Sequence, residues 1–246
     1  MRPSGWQVMA GILVNAIYAM KNYPIVMVNT VLSPLSFLTV ITFVSRGQLI
    51  GEAIEGGFIM SMFQAGMSLQ GDLSHFKNDF KLQDMVVSTP TTPLAYVTGM
   101  AVGEIIYSVP ALAVLVVLAS IYIHPDAAGA LQLLAVLLLM FLASTALGFT
   151  LSTFTSDIIQ SFGFSSLIST LFSTLPPVYY PITYIPLPFR YLAYLSPTTY
   201  AAEISQNLTG MVQLSFLDIA IAWVVLASVS FVLLLISIKK ARWREI

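Results

Sequence analysis

The stretch Gly66–Gly103, GMSLQGDLSHFKNDFKLQDMVVSTPTTPLAYVTGMAVG, leaves one long apolar run and enters another. Between the two lie a short segment of mixed charge, a Ser88-Thr89-Pro90 turn and Pro93. In so apolar a chain, a polar insert of helix size between two such runs faces water. Its 76–88 segment sets apolar Phe76, Phe80, Leu82, Met85 and Val86 among polar Lys77, Asn78, Asp79, Lys81, Gln83 and Asp84. Both signs of charge are interspersed, which argues against a helix made only for anionic lipid. A few apolar knobs among mixed charges suit a groove on a soluble partner. Periodicity alone equally allows an ordinary solvated loop helix.

Composition sets the frame around that insert. The 246 residues are 57% hydrophobic and only 9% charged, with a mean hydropathy of +0.87. Soluble domains carry about a quarter charged residues. Six apolar stretches, 25–44, 56–73, 94–123, 130–153, 158–175 and 214–238, are expected to be membrane spans; a hydrocarbon core of about 30 Å needs roughly 20 helical residues. The expected fold is therefore an all-α polytopic membrane protein, one transmembrane domain over 1–246. Cysteine is absent, so there is no disulfide framework and no thiolate nucleophile or metal ligand. A net charge of −1 argues against a nucleic-acid partner. His75 and His124 lie too far apart to make a metal site, and no serine–histidine–acid set has a supporting turn. No catalytic residue and no metal site are expected.

The ends of the spans carry their own signals. Trp6, Met9, Leu13, Ile17 and Met20 recur at spacings of three and four, one face of a helix over 1–23 that Asn22-Tyr23-Pro24 ends. A helix with Trp on its apolar side suits the membrane interface; the other reading makes it the start of a long, tilted first span. Arg2 is followed by no compact apolar core or cleavage site, so no signal peptide is expected. Ser45–Glu55 reads as a polar loop, and Pro34 falls inside the first span. With both termini cytoplasmic, eight basic residues face inward (Arg2, Lys21, Lys77, Lys81, Lys239, Lys240, Arg242, Arg244) and two outward (Arg46, Arg190). The 76–88 insert is then cytoplasmic and the 176–210 segment faces out.

Two runs resemble a known family. Lys81-Leu82-Gln83-Asp84-Met85-Val86-Val87-Ser88-Thr89-Pro90, continued by Thr91–Gly99, resembles the first cytoplasmic loop of ABC type-2 transporter permeases. Leu195-Ser196-Pro197-Thr198-Thr199-Tyr200-Ala201-Ala202-Glu203 resembles that family's asparagine-proline-leucine-threonine-tyrosine-alanine segment in the last outward-facing loop, and the proline-rich 176–188 ahead of it fits. The resemblance extends over the whole chain in order and spacing. It departs at Thr92-Pro93, where a serine often followed by arginine is expected.

That resemblance implies a plasma-membrane (cell inner membrane) exporter subunit working as a dimer, most simply a homodimer. It implies a coupling helix at 76–88 docking a separate ABC ATPase, and a re-entrant outer segment between the fifth and sixth spans. The chain has no G-x-x-x-x-G-K-[ST] phosphate loop, so ATP and Mg would be bound by the partner. The expected substrate is amphipathic or hydrophobic: a drug-like molecule, a lipid or a lipid-linked glycan.

Polar residues at membrane depth are costly unless they face protein or a watery cavity. Ser61, Gln64, Ser68, Asp72 and His75 form a stripe along the second span, and Ser161, Ser165, Ser169 and Ser173 form one along the fifth. In the resembling family those spans border the path between subunits. The resemblance thus makes Ser61, Phe63, Gln64, Ser68, Phe162, Ser165, Ser169 and Phe172 path-lining; the alternative is helix packing through small hydroxyls. Glu104, about 15 Å along the third span, is read as a neutral acid bonded to hydroxyls. The rival is a proton- or ion-coupled secondary transporter using Glu104 and Asp72; a third class is a membrane scaffold. Gly99 and Gly103 permit close helix approach. Tyr179, Tyr180, Tyr184 and Tyr200 make either an interfacial belt or, by resemblance, an outer gate.

Overall fold

The computed structural model describes residues 5–78, 88–89, 91–155, 157–174, 176–208 and 210–240. All regular structure among them is helical. The N-terminal segment runs as α1 (Gly5–Ile12), a π-helical turn (Leu13–Tyr18) and α2 (Ala19–Asn22). Pro24 opens α3 (Pro24–Val44), where its missing N–H costs nothing. After a turn come α4 (Ile50–Asn78), α5 (Pro93–Tyr122), α6 (Ala127–Phe154) and α7 (Ile158–Thr174). The chain then forms a 3₁₀ turn (Ile182–Tyr184), α8 (Phe189–Ala193) and α9 (Pro197–Leu208), and ends in α10 (Phe216–Lys240).

Local chemistry sets these boundaries. Thr92 Oγ1 accepts from Ala95 N at 3.2 Å with Pro93 in the first turn, so the Thr-Pro pair starts α5. Asp126 does the same for α6, accepting from Gly129 N at 2.8 Å. His124 takes a left-handed φ of 53° and closes the C-terminus of α5 ahead of Pro125.

Among the described residues, four helical segments are long and apolar enough to cross a membrane: Met27–Val44, Ala95–Tyr122, Ala127–Phe154 and Phe216–Lys239. Two expected spans differ from these. At 29 residues α4 is long enough but carries Glu52, Glu55 and Asp72, whereas α7 has 17 residues. The apolar helices turn their large side chains outward; Phe43 is 78% exposed, and Val117, Leu131 and Phe231 are also exposed. Apolar outside and polar inside is the arrangement that a bilayer, not water, rewards.

The polar loop expected over 45–55 is shorter than that, which is a correction. The turn covers 45–49, tied by Ser45 Oγ accepting from Leu49 N at 3.2 Å, and α4 begins at Ile50. Glu52 and Glu55 therefore lie inside the bundle, 7% and 0% exposed. They join α4 because this helix is the axis of the molecule. It packs against α3, α5, α6, α7 and α9, and everything from Gly51 to Phe63 is buried. The core runs along it through Ile54, Ile59, Phe63, Met67 and Leu69, joined by Leu115, Met140, Ile204 and Leu226.

Gly66 and Gly148 let α4 and α6 meet backbone to backbone. A Cβ on Gly66 would fall 2.0 Å from Ser144 Oγ, and one on Gly148 would fall 2.8 Å from the Gly66 carbonyl oxygen. Ser144 Oγ donates to Met62 O at 3.3 Å across the same crossing. Small residues and a bridging hydroxyl are the means by which helices associate where lipid removes the hydrophobic drive.

Candidate functional site

The lower half of α4 opens onto a cavity of about 700 Å³. Its walls come from the N-terminal segment, α3, α4, α5 and Phe162 of α7. Gly99 and Gly103 position the first of these walls. A Cβ on Gly99 would lie 2.7 Å from Val8 O, and one on Gly103 would lie 3.0 Å from Asn15 Cβ. The glycines of α5 thus bring the N-terminal helix into contact, with its Trp6 face pointing outward at 85% exposure. The π turn at Leu13–Tyr18 rotates Asn15 and Ala16 inward; such turns often sit at functional sites.

Asn15 then meets the acid of α5. Its Nδ2 donates to Glu104 Oε1 at 2.6 Å and to Met100 O at 3.1 Å. The Glu104 carboxyl also lies beside that of Asp72 on α4, both on the cavity wall. His75, one turn further along α4, lines the same cavity. Glu104 was expected to rest on hydroxyls; its partners are an amide and a second carboxyl, brought in by helices that the sequence leaves unpaired.

The expected path residues separate into two groups. Ser61, Gln64, Ser68 and Phe162 line this cavity. Gln64, Ser68, Phe162, Ser165 and Ser169 line an adjoining depression of about 310 Å³ between α3, α4 and α7. Gln64 accepts from Ser33 Oγ at 3.3 Å, while the Ser61 and Ser68 hydroxyls donate to carbonyls four residues earlier. The buried Phe63 and the half-buried Phe172 instead pack on one another, with ring centroids 5.5 Å apart. Ser161 is buried at the α4–α7 contact, where Gln70 Nε2 donates to its carbonyl at 2.9 Å. Asn15, Asn29, Thr30, Ser33 and Tyr107 line the cavity without having stood out in the sequence. Asn15 and Asn29 were the signals available, amides set in apolar stretches.

Of the expected docking residues, Phe76, Lys77 and Asn78 form the last turn of α4. Asp79, Phe80, Lys81, Leu82, Gln83 and Asp84 lie outside the described residues.

At the other end of α4, the 176–210 segment packs over Gly56 through Val178 and Tyr179, and Met211 just beyond it packs over Gly51. The Leu195–Glu203 motif spends its polar groups on closing this segment. Tyr194 OH donates to Glu203 Oε1 at 2.9 Å, and Tyr200 OH donates to Tyr194 O at 2.9 Å. Thr199 Oγ1 donates to Ala193 O, and Thr198 Oγ1 donates to Phe172 O at 3.1 Å. Burial pushes the Glu203 carboxyl above its ordinary 4.5; the Tyr194 hydrogen bond opposes this and the Asp218 charge adds to it. Tyr179 is buried and stacks on Phe37 at 5.3 Å. Tyr180 and the exposed Tyr184 line a hollow of about 440 Å³ beside Arg46.

A membrane bundle with a polar cavity, bound to a motif-bearing cap at its far end, is the architecture of a transport component. The model of the ABC-2 type transporter family matches residues 7–208, and the chain belongs to that family. It is a permease subunit of an ABC transporter, a multi-pass membrane protein whose family associates with ABC ATPase subunits. Comparison with curated proteins returned no significant match.

Proposed function

We propose that the chain is one membrane-spanning half of an ATP-driven exporter. In this reading α3, α4, α5, α6, α7 and α10 all cross, both termini are cytoplasmic, and a second copy completes the path. A separate ATPase, holding ATP and Mg, docks on the segment from Phe76 to Asp84. The cargo is amphipathic or hydrophobic, as a drug-like molecule, a lipid or a lipid-linked glycan would be. Tyr179, Tyr180, Tyr184 and Tyr200 belong to the outer gate.

The observation that supports this most is the continuity of α4. One unbroken 29-residue helix joins the start of the docking segment, the cavity wall and the contact under the outer cap. At 1.5 Å per residue it is a rod of about 44 Å. A displacement applied at Phe76–Asn78 would reach Tyr179 through a single rigid element, as coupling through packed two-state elements requires.

The test is recovery of the tagged chain in mild detergent with mass spectrometry of its companions. A phosphate-loop ATPase should co-purify and should vanish when Phe80→Asp and Leu82→Asp are combined. Absence of any ATPase from the unaltered chain would overturn the reading. The Asp72–Glu104 contact favours a second reading, proton- or ion-coupled transport. Transport abolished by an uncoupler, and untouched by a hydrolysis-dead ATPase, would establish that one instead.

A further inference from the structure

We propose that the cavity between the N-terminal segment, α4 and α5 selects cargo carrying a positive charge, so that the exported class is organic cations with an apolar body. The inference rests on the exporter reading and names its substrate. Asp72 and Glu104 both line the cavity, and among the described residues no lysine or arginine does. Lys21 sits between the lining residues Ala19 and Asn22 but is itself exposed and not part of the lining. At this depth a charge borne by the carboxyl pair is screened less than one at the surface, and it acts on whatever enters.

The rest of the lining fits such a guest. Tyr18, Tyr23, Tyr107 and Phe162 present aromatic rings around the acids. Ring faces attract a quaternary or delocalised cation, and more strongly once water is removed. The amides and hydroxyls of Asn29, Ser33, Gln64 and Ser68 leave a polar rim without adding charge. A volume of about 700 Å³ is within the range of drug-sized sites.

The opposite end of the molecule reverses the sign. In the hollow beside Tyr180 and Tyr184, Arg46 is the charged lining group among the described residues. A cation is therefore attracted where α4 approaches the docking segment and repelled where the outer cap sits. That asymmetry suits capture at one end and release at the other.

The test uses two ions of matched size and shape, tetraphenylphosphonium and tetraphenylborate. Binding of each to the purified full chain is measured by equilibrium dialysis in a non-ionic detergent. The unaltered chain should bind the cation at least about tenfold tighter than the anion, the scale of a partly desolvated cation–π and charge contact. Asp72→Asn with Glu104→Gln should abolish the preference while leaving ATPase capture intact. Ser68→Lys, one helical turn from Asp72 on the cavity wall, sets a positive charge against the carboxyl pair and should reverse the preference. A His75→Gln background removes the one lining imidazole and should leave the preference in place. Equal binding of the two ions, or a preference unchanged in the folded double variant, would overturn the inference while the exporter reading stands. Cation preference without any ATPase partner would instead overturn the exporter reading and leave the charge selection of the cavity.

Discussion

Two buried glutamates, at opposite ends of α4, show how differently this protein treats a carboxyl. Glu203 is 8% exposed and Glu104 is 5% exposed. Glu203 sits in a cap whose tyrosines and threonines consume one another's hydrogen bonds, with no cavity beside it among those described. Glu104 shares Asn15 and Asp72 at the edge of open volume. A polar group that is buried and satisfied serves specificity and closure. A polar group satisfied on one side and open on the other is available to a guest. The cap is built to hold and the cavity to receive.

The largest disruption should come from the point that joins the two ends. Gly66→Val would drive side-chain atoms into Ser144 and the α6 backbone. Overpacking of this kind costs on the order of 1–3 kcal/mol, and more where backbone cannot yield. The detergent-solubilised protein should melt markedly lower, and both ends should lose function together.

Gly99→Val should separate the two ends. It pushes the N-terminal helix, met at Val8 and Gly11, away from α5, breaks the Asn15–Glu104 bond and leaves the cap untouched. Cation binding should fall severalfold, whereas a fluorophore on the 176–210 segment should report an unchanged environment. Equal effects at both ends would erase the distinction drawn between them.

Tyr194→Phe acts on the cap alone. It leaves a buried carboxyl without its donor, a loss of about 1–3 kcal/mol, visible as faster proteolysis of the 176–210 segment with equilibrium cation binding preserved. The pH dependence of the cap has a definite sign. The folded Glu203 carboxyl titrates above its ordinary 4.5, so the native state holds more protons than the unfolded state within that window. The contribution of Glu203 is present below pH 4.5 and is lost as pH rises through the folded value. Glu203→Gln should flatten that part of the stability profile.

The smallest effect should follow from Gln64→Leu with Ser165→Leu. Both line the depression between α4 and α7. Transport should weaken while ATPase capture stays normal; unaffected transport would make these side chains packing residues.

The sequence carried some of this and withheld the rest for physical reasons. Apolar runs and capping residues act locally, so helices could be read where these occur: Pro24, Thr92-Pro93 and Asp126 open α3, α5 and α6. Even the departure at Thr92-Pro93 has a local meaning, as a helix cap. The burial of Glu52 and Glu55 was not legible, since it depends on which helices surround α4. The pairing of Asn15 with Glu104 hangs on the Gly99–Gly11 contact, and the approach of Asp72 to Glu104 on the packing of α4 against α5, which none of these residues announces. Phe63 and Phe172 looked equivalent to Phe162 in one dimension, yet they pack on one another while Phe162 lines the cavity.

The most direct measurement uses the absence of cysteine from the chain. Ser68→Cys in the cavity and Ser205→Cys in the buried cap, 0% exposed, would each be the sole thiol. Each is treated with a membrane-impermeant maleimide from either side of sealed vesicles containing the ATPase. Without ATP, Ser68→Cys should react from the cytoplasmic side only and Ser205→Cys from neither side. With ATP and a trapped ATPase, the cavity thiol should lose its cytoplasmic reactivity and the cap thiol should gain reactivity from outside. A cavity thiol that reacts from the outer face without ATP, or a pattern that ATP leaves unchanged, would contradict the account of a receiving cavity and a closing cap.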